Sequence, residues 1–300
     1  MRSPMTFQFS ADDKTVQAGV RRIARAQIDE ALDMIRATAL PPEKIVHKVR
    51  QSCKALRALI RIVRPVFPRY APENQAFREI GHLLSGPRDA RILAETIDRL
   101  TVDGMDSEAV ARVRAGLVAH HQLRPLDEAL DQCTRLLEAA RERVGRWTLH
   151  ADGWDALSGG TLKTYKQARQ AMKRLADGDD AERSHQWRKH VKYHGLHARL
   201  LQAIAPHALE RRAKKAGALA ELLGQRHDFD ILAHKRMVLP WRAEEHAALD
   251  GLIAAAQRPA AALAAKARKR SSDLFDRKPR KLVGKLGERW AVFAKAPEPA

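Results

Sequence analysis

Five basic residues recur at helical spacing between residues 43 and 64. They are His47, Arg50, Lys54, Arg57 and Arg61. Successive gaps of three and four residues, at about 100° per residue, place all five on one side of an α-helix. That side has no acidic residue to form i,i+4 ion pairs, so the positive charges repel one another unless an anion lies against them. Such a stripe can bind phosphate by charge-assisted hydrogen bonds or can simply be a solvated helix face.

The same pattern occurs a second time. The motif H-x-x-R-x-x-x-K starts at His47 and again at His185. The second stripe comprises His185, Arg188, Lys192 and Arg199, and Gly195 replaces the counterpart of Arg57. Two further stripes are formed by Lys166, Arg169 and Lys173, with Lys163 and Tyr165 alongside, and by Lys14, Arg21 and Arg25. If the two halves of the chain pack symmetrically, the four stripes line one channel.

A second pair of similar segments supports an internal duplication. LLSGPRDARIL (83–93) matches LLGQRHDFDIL (222–232), in the same order and at nearly the same offset as the basic motifs. We therefore predict a first helical half at 8–150 and a second at 158–276. A Gly-rich junction near 149–160 joins the halves, and a basic tail, 277–300, follows.

Each of the two matching segments, 83–93 and 222–232, contains an aspartate directly after a basic residue: Arg88-Asp89 and His227-Asp228. Both dipeptides open predicted helices, where aspartate is a good capping or first-turn residue. Arg88 and Arg226 are alternative phosphate ligands, because the guanidinium fork matches phosphate oxygens.

Composition predicts an all-α protein. Ala, Leu, Arg, Glu, Lys and Gln dominate and no strand pattern is evident. Proline and glycine divide the chain into predicted helices at 11–38, 43–64, 72–85, 87–100, 106–121, 125–148, 158–177, 181–204, 207–224, 227–238, 242–256 and 258–275, with a weaker helix at 281–294.

Net charge points to a polyanionic partner. The 300 residues carry a formal charge of +19, which attracts nucleic acid, anionic membrane surfaces and inorganic polyphosphate alike. Aromatic residues make up only 5%, which disfavours single-strand binding by base stacking. Two cysteines and the lack of an apolar leader or membrane-length run predict a soluble cytoplasmic protein that does not enter membranes.

Catalytic and metal-binding patterns are weak. His190, His194 and His197 have metal-ligand spacing, but the segment lacks the glutamate of a zincin motif, so buried or surface histidines are the preferred interpretation. There is no P-loop, dinucleotide fingerprint or nucleophile elbow, and no carboxylate pair stands out as acid and base. We expect no enzymatic activity, no cofactor and no bound metal.

The motifs at His47 and Arg88, with their second copies, resemble the CHAD family, the conserved histidine α-helical domain. The resemblance extends from about residue 8 to 275. It implies two pseudo-symmetric helical bundles whose long basic helices line a central cavity, in a single domain at 8–296. It also implies non-catalytic polyphosphate binding, and the absence of a fused triphosphate-tunnel domain suggests a stand-alone member.

The resemblance also implies polyphosphate contacts. In the first half these are His47, Arg50, Lys54, Arg57 and Arg88. In the second they are Tyr165, Lys166, Arg169, His185, Arg188, Lys189 and Lys192. The second copy departs from the family at 193–196 and at His227, so we expect His47, Arg50 and Lys54 to matter most.

The resemblance implies polyphosphate binding at polyphosphate granules, with nucleic acid as a weaker, nonspecific ligand. The main alternative is a nucleic-acid-binding or nucleoid-associated helical protein. A third is a metal-dependent phosphohydrolase.

Overall fold

The computed structural model of the protein describes residues 7–37, 39–100, 104–121, 125–175 and 180–295, with only the backbone described for 87, 88 and 121. This part of the chain contains no strand, which confirms the all-α prediction. Its α-helices are α1 (Val16–Arg36), α2 (Pro42–Ile62), α3 (Tyr70–Leu83), α4 (Ser85–Leu100), α5 (Ser107–His121), α6 (Leu126–Val144), α7 (Gly153–Arg174), α8 (Ala181–Leu200), α9 (Pro206–Val238), α10 (Ala243–Phe275) and α11 (Pro279–Phe293).

Local signals explain where the helices begin. The Thr15 hydroxyl accepts from the Ala18 amide at the start of α1, and the Asp180 carboxylate accepts from the Arg183 amide at the start of α8. Proline occupies the first turn of α2, where a missing amide hydrogen has no cost.

Two separate apolar cores hold these helices together. The larger core is built from α1, α2, α3, α6, α7, α8 and α11, with the first part of α9 and the last part of α10. The smaller core joins α4 and α5 to the last part of α9 and the first part of α10. Each core therefore combines helices from both predicted halves, 8–150 and 158–276. The internal duplication itself stays a prediction.

Helices α9 and α10 are continuous, so the helix breaks predicted at 224–227 and 256–258 are wrong. Each helix has 33 residues, and α10 passes through Pro259. A proline inside a helix costs roughly 3 kcal/mol. Packing opposes this cost, because Ala256 is buried in the smaller core and Leu274 in the larger one.

The glycines assigned to the junction at 149–160 have a different role. Gly159 and Gly160 lie inside α7, which begins at Gly153 with a φ of 53°. A Cβ atom on Gly160 would lie 1.9 Å from the Ile62 carbonyl oxygen. Gly160 therefore allows α7 to pack directly on the end of α2.

The predicted basic tail, 277–300, contains the packed helix α11. Leu282, Leu286 and Trp290 of this helix are buried, and the Trp290 ring meets Phe9 edge-on at 5.8 Å. This agrees with the helix predicted at 281–294. Within the described ranges, no helix combines the length and apolar character that crossing a bilayer requires.

Candidate functional site

A cleft of about 920 Å³ opens between α2, α8, α9 and α4. Helices α2 and α8 contribute a row of basic side chains, which we call the basic wall. Its members among the described residues are Arg50, Lys54, Arg57, His185, Arg188, Lys189, Lys192 and Arg199. The stripes on α2 and α8, far apart in sequence, thus meet at one site.

Helix α2 positions its basic residues by burying the opposite face. Val49, Cys53 and Leu56 are buried in the larger core, which turns the stripe toward the cleft. Two arginines are oriented further by α3. Arg50 donates to the Gly81 carbonyl, and Arg57 Nε donates to Asn74 Oδ1 at 3.2 Å.

Two glycines bring α8 and α9 together. A Cβ on Gly195 would lie 3.0 Å from the Ala216 side chain, so the residue that interrupts the second stripe allows close helix packing. A Cβ on Gly224 would lie 3.2 Å from Arg188 Nη2. The absence of a side chain at Gly224 therefore leaves room for the Arg188 guanidinium.

Arg61 does not line the cleft. Its guanidinium carbon lies 4.1 Å from the centre of the Tyr193 ring, and Tyr193 lines the cleft. This is cation–π geometry. Arg61 therefore contacts a residue that lines the cleft, whereas the sequence predicted that it contacts the ligand directly.

Within the basic wall, the protonated forms of Lys189 and His185 are disfavoured. Burial, with the charges of Arg57, Arg78 and Arg61, lowers the pKa of Lys189 despite the opposing effect of Glu182. Burial, then Lys189 and Arg188, lowers the pKa of His185. A bound anion would offset the part of both shifts that comes from the neighbouring positive charges.

Comparison with known proteins agrees with this architecture. The model of the CHAD domain family matches residues 22–236, more than two thirds of the chain. The chain belongs to the CHAD domain family. Its fold is similar to the crystal structure of the CHAD domain from the plant Ricinus communis, with a TM-score of 0.60 and 17% identity, covering 96% of this chain and 97% of that one. No curated protein gives a significant match.

Two predicted contacts of this CHAD domain, His47 and Arg88, are not assigned to the basic wall, for different reasons. His47 is exposed one turn before Arg50 and does not line the cleft. Arg88 belongs to α4, but its side chain lies outside the described residues. Helix α8 supplies five residues of the basic wall and α2 supplies three. The expectation that His47, Arg50 and Lys54 matter most for binding stays a prediction.

The α7 stripe does not reach the cleft either. Tyr165 is fully buried and its hydroxyl donates to the Arg277 carbonyl at 3.1 Å. Arg169 Nε donates to the Phe275 carbonyl at 3.0 Å, while Lys166 and Lys173 are exposed. Helix C-termini leave carbonyl groups without partners inside the helix. Arg169 therefore satisfies the carbonyl of the last residue of α10, and Tyr165 satisfies that of Arg277, two residues beyond the helix.

The α1 stripe is likewise not part of the cleft. Arg21 donates to the Trp147 carbonyl at 2.8 Å, and Lys14 and Arg25 are exposed. The hypothesis that four stripes line one channel is therefore wrong: the structure brings together the α2 and α8 stripes.

The histidines that follow His185 on α8 make structural contacts. His194 Nε2 accepts from Arg212 Nε at 2.7 Å, and His197 Nε2 lies 3.1 Å from the Ala58 carbonyl oxygen. His190 is half-buried on the side facing α7. Among the described residues, no group of three or more His, Cys, Asp or Glu side chains is placed to hold a metal ion.

The two aspartates do not begin helices. Asp89 is the fifth residue of α4, and Asp228 lies in the interior of α9 because that helix is continuous. Both aspartates line the cleft. The capping prediction is therefore wrong for both.

Sequence reasoning missed the small residues of α9 that line the cleft. Ala213, Gly217, Ala220 and Gly224 recur at spacings of four, three and four, which marks one helix face. All four lie within the helix predicted at 207–224, but they are small and uncharged, so the pattern of basic stripes did not include them. Gln51 and Tyr193 also line the cleft, and they fall beside the stripes without matching the basic pattern.

Proposed function

We propose that this CHAD domain binds inorganic polyphosphate in the cleft without hydrolysing it. The observation that carries the proposal is the convergence of the α2 and α8 stripes on the basic wall. Polyphosphate is an unbranched chain with anionic oxygens at every unit, and several cations in a row can contact successive units.

Binding would depend on electrostatics and hydrogen bonding. Arginine and lysine donate charge-assisted hydrogen bonds to phosphate oxygens, and counterions released from the polyanion add to the affinity. Burial lowers the pKa values of Lys189 and His185, and neighbouring positive charges lower them further; a phosphate chain would offset the effect of those charges. Long chains should therefore bind tightly and orthophosphate negligibly.

The proposal is tested with variants of the basic wall. Arg50→Ala combined with Arg188→Ala should weaken the binding of long-chain polyphosphate at least tenfold. Lys54→Ala with Lys192→Ala, which leaves the Gly81 carbonyl contact intact, should act in the same direction. The matched control is Lys166→Ala with Lys173→Ala, which removes two exposed charges outside the cleft. Equal loss in all three variants, or no loss in the first two, would overturn the proposal.

Competition tests the choice of polyanion and microscopy tests the cellular location. Protein on immobilised polyphosphate should remain bound when excess DNA or RNA is added at physiological salt, and ready displacement would favour a nucleic-acid-binding function. Incubation with polyphosphate should release no orthophosphate, with or without divalent metal. In phosphate-replete cells the tagged protein should localise to polyphosphate granules, whereas a nucleoid pattern would support the alternative.

A further inference from the structure

The α9 and α4 side of the cleft differs chemically from the basic wall. On this side the cleft is lined by Ile92 of α4 and by four residues of α9: Ala213, Gly217, Ala220 and Ile231. We call these five residues the apolar wall. Gly217 borders open space, because no atom lies within 4 Å of the position that a Cβ would occupy. A bare phosphate chain gains nothing from such a surface.

Polar groups beside the apolar wall are also poorly matched to phosphate. Three carboxylates line this side of the cleft and repel anions: Glu221 and Asp228 on α9, and Asp89 on α4. Each can accept hydrogen bonds from hydroxyl or amino groups. Gln51 and Gln225 line the cleft as well, and each amide can both donate and accept. These groups suit an uncharged ligand part that has its own donors and acceptors.

We infer that the cleft takes a nucleoside polyphosphate, with the phosphates on the basic wall and the nucleoside on the apolar wall. The inference rests on the proposed function, because it assigns the phosphate chain to the same cations. A base has two apolar faces and hydrogen-bonding edges, and a ribose has hydroxyl donors. Both kinds of group are complementary to the side of the cleft that polyphosphate leaves unused.

The size of the cleft agrees with this ligand class. Pockets for small molecules and cofactors typically enclose about 300–1,000 Å³. At about 920 Å³ the cleft can hold a whole nucleoside triphosphate.

The experiment compares ATP with tripolyphosphate, which has the same number of phosphates and no nucleoside. Calorimetric titrations of the full chain are made without divalent cations at one pH and salt concentration. ATP should bind at least tenfold more tightly, equivalent to about 1.4 kcal/mol. Long-chain polyphosphate is titrated in parallel as the test of the basic wall.

Gly217→Leu tests the position of the nucleoside. The leucine fits the open space above Gly217 and would occupy the apolar wall. It should reduce ATP affinity to that of tripolyphosphate and leave tripolyphosphate affinity unchanged. The matched control is Gly284→Leu in α11, where a side chain also meets open space but lies outside the cleft. Thermal unfolding of both variants checks that they fold.

The outcomes separate this inference from the proposed function. If long-chain polyphosphate binds but ATP binds no more tightly than tripolyphosphate, the nucleoside inference is wrong and the proposed function stands. The inference also fails if the preference for ATP survives in Gly217→Leu. If ATP binds and polyphosphate of any length does not, the proposed function is wrong and the cleft is a nucleotide site.

Discussion

The centroids of the His185 and His227 imidazole rings lie 4.3 Å apart, at an interplanar angle of 37°, where α8 meets α9 in the cleft. Lys189 and Arg188 on α8 crowd the same place, and burial together with their charges lowers the pKa of His185. His185 therefore makes the charge of the basic wall sensitive to pH.

Polyphosphate binding should therefore take up protons. Phosphates offset the repulsion from Lys189 and Arg188, which raises the pKa of His185 in the complex relative to the free protein. Affinity should increase as pH falls from about 8 to 5.5, because a group whose pKa rises on binding favours the complex at lower pH. Titration calorimetry in buffers of different ionisation enthalpy measures this uptake, and His185→Gln should reduce it. Equal affinity at both pH values would contradict the prediction.

Salt dependence should report the number of cations that contact phosphate. For a flexible chain that behaves like a nucleic acid single strand, the log–log slope of affinity against salt is about −0.7 per phosphate contacted. Lys54→Ala with Lys192→Ala should make the slope shallower by about 1.4 if each lysine contacts one phosphate. The exposed pair Lys166→Ala and Lys173→Ala should leave the slope unchanged.

Tyr165→Phe should affect stability and not binding. The hydroxyl donates to the Arg277 carbonyl, and the loss of one such hydrogen bond costs about 0.5–1.5 kcal/mol. Urea denaturation should detect this loss while polyphosphate affinity stays within error of the wild type. A several-fold loss of affinity in folded Tyr165→Phe protein would restore Tyr165 as a ligand contact.

Gly160→Ala should strongly destabilise the protein. The new Cβ would overlap the Ile62 carbonyl oxygen, so α7 must move away from α2, at a cost of about 3 kcal/mol or more. Gly284→Ala is the control, because α11 has open space there and alanine is favoured over glycine in a helix by up to about 1 kcal/mol. Opposite shifts in the urea midpoint are expected, and a neutral Gly160→Ala would show that the two helices do not pack this closely.

The buried histidines should make the fold sensitive to acid. Burial lowers the pKa of His197 to about 3 and the pKa of His194 well below its ordinary value of 6.5, whereas both titrate near 6.5 when unfolded. The contribution of these two neutral histidines to the free energy of unfolding is complete above pH 6.5. It is lost as pH falls, by about 1.4 kcal/mol per pH unit for each histidine. Urea denaturation at several pH values from 4 to 7 measures the slope of the unfolding free energy against pH. His197→Gln should reduce it, and exposed His207→Gln should not.

Helix content and the basic motifs could be predicted because they depend on local spacing. Periodicity identified the stripes on α2 and α8, whose opposite faces are buried. What could not be predicted depends on tertiary contacts. From the sequence Pro259 predicts a helix break, because the packing at both ends that keeps α10 continuous is not visible there. Tyr165 and Arg169 were predicted to contact the ligand, because the sequence does not show that the end of α10 and the residues after it lie beside them.

The smaller core has a consequence for biosynthesis. Helices α4 and α5 leave the ribosome early, but Leu232, Leu249 and Leu252, which complete their core, follow more than 100 residues later. Contacts of such long sequence separation form slowly, and apolar faces exposed meanwhile favour aggregation. The nascent chain must therefore carry an uncovered α4 and α5 surface until α9 and α10 are synthesised, and this interval is when a chaperone would be needed most.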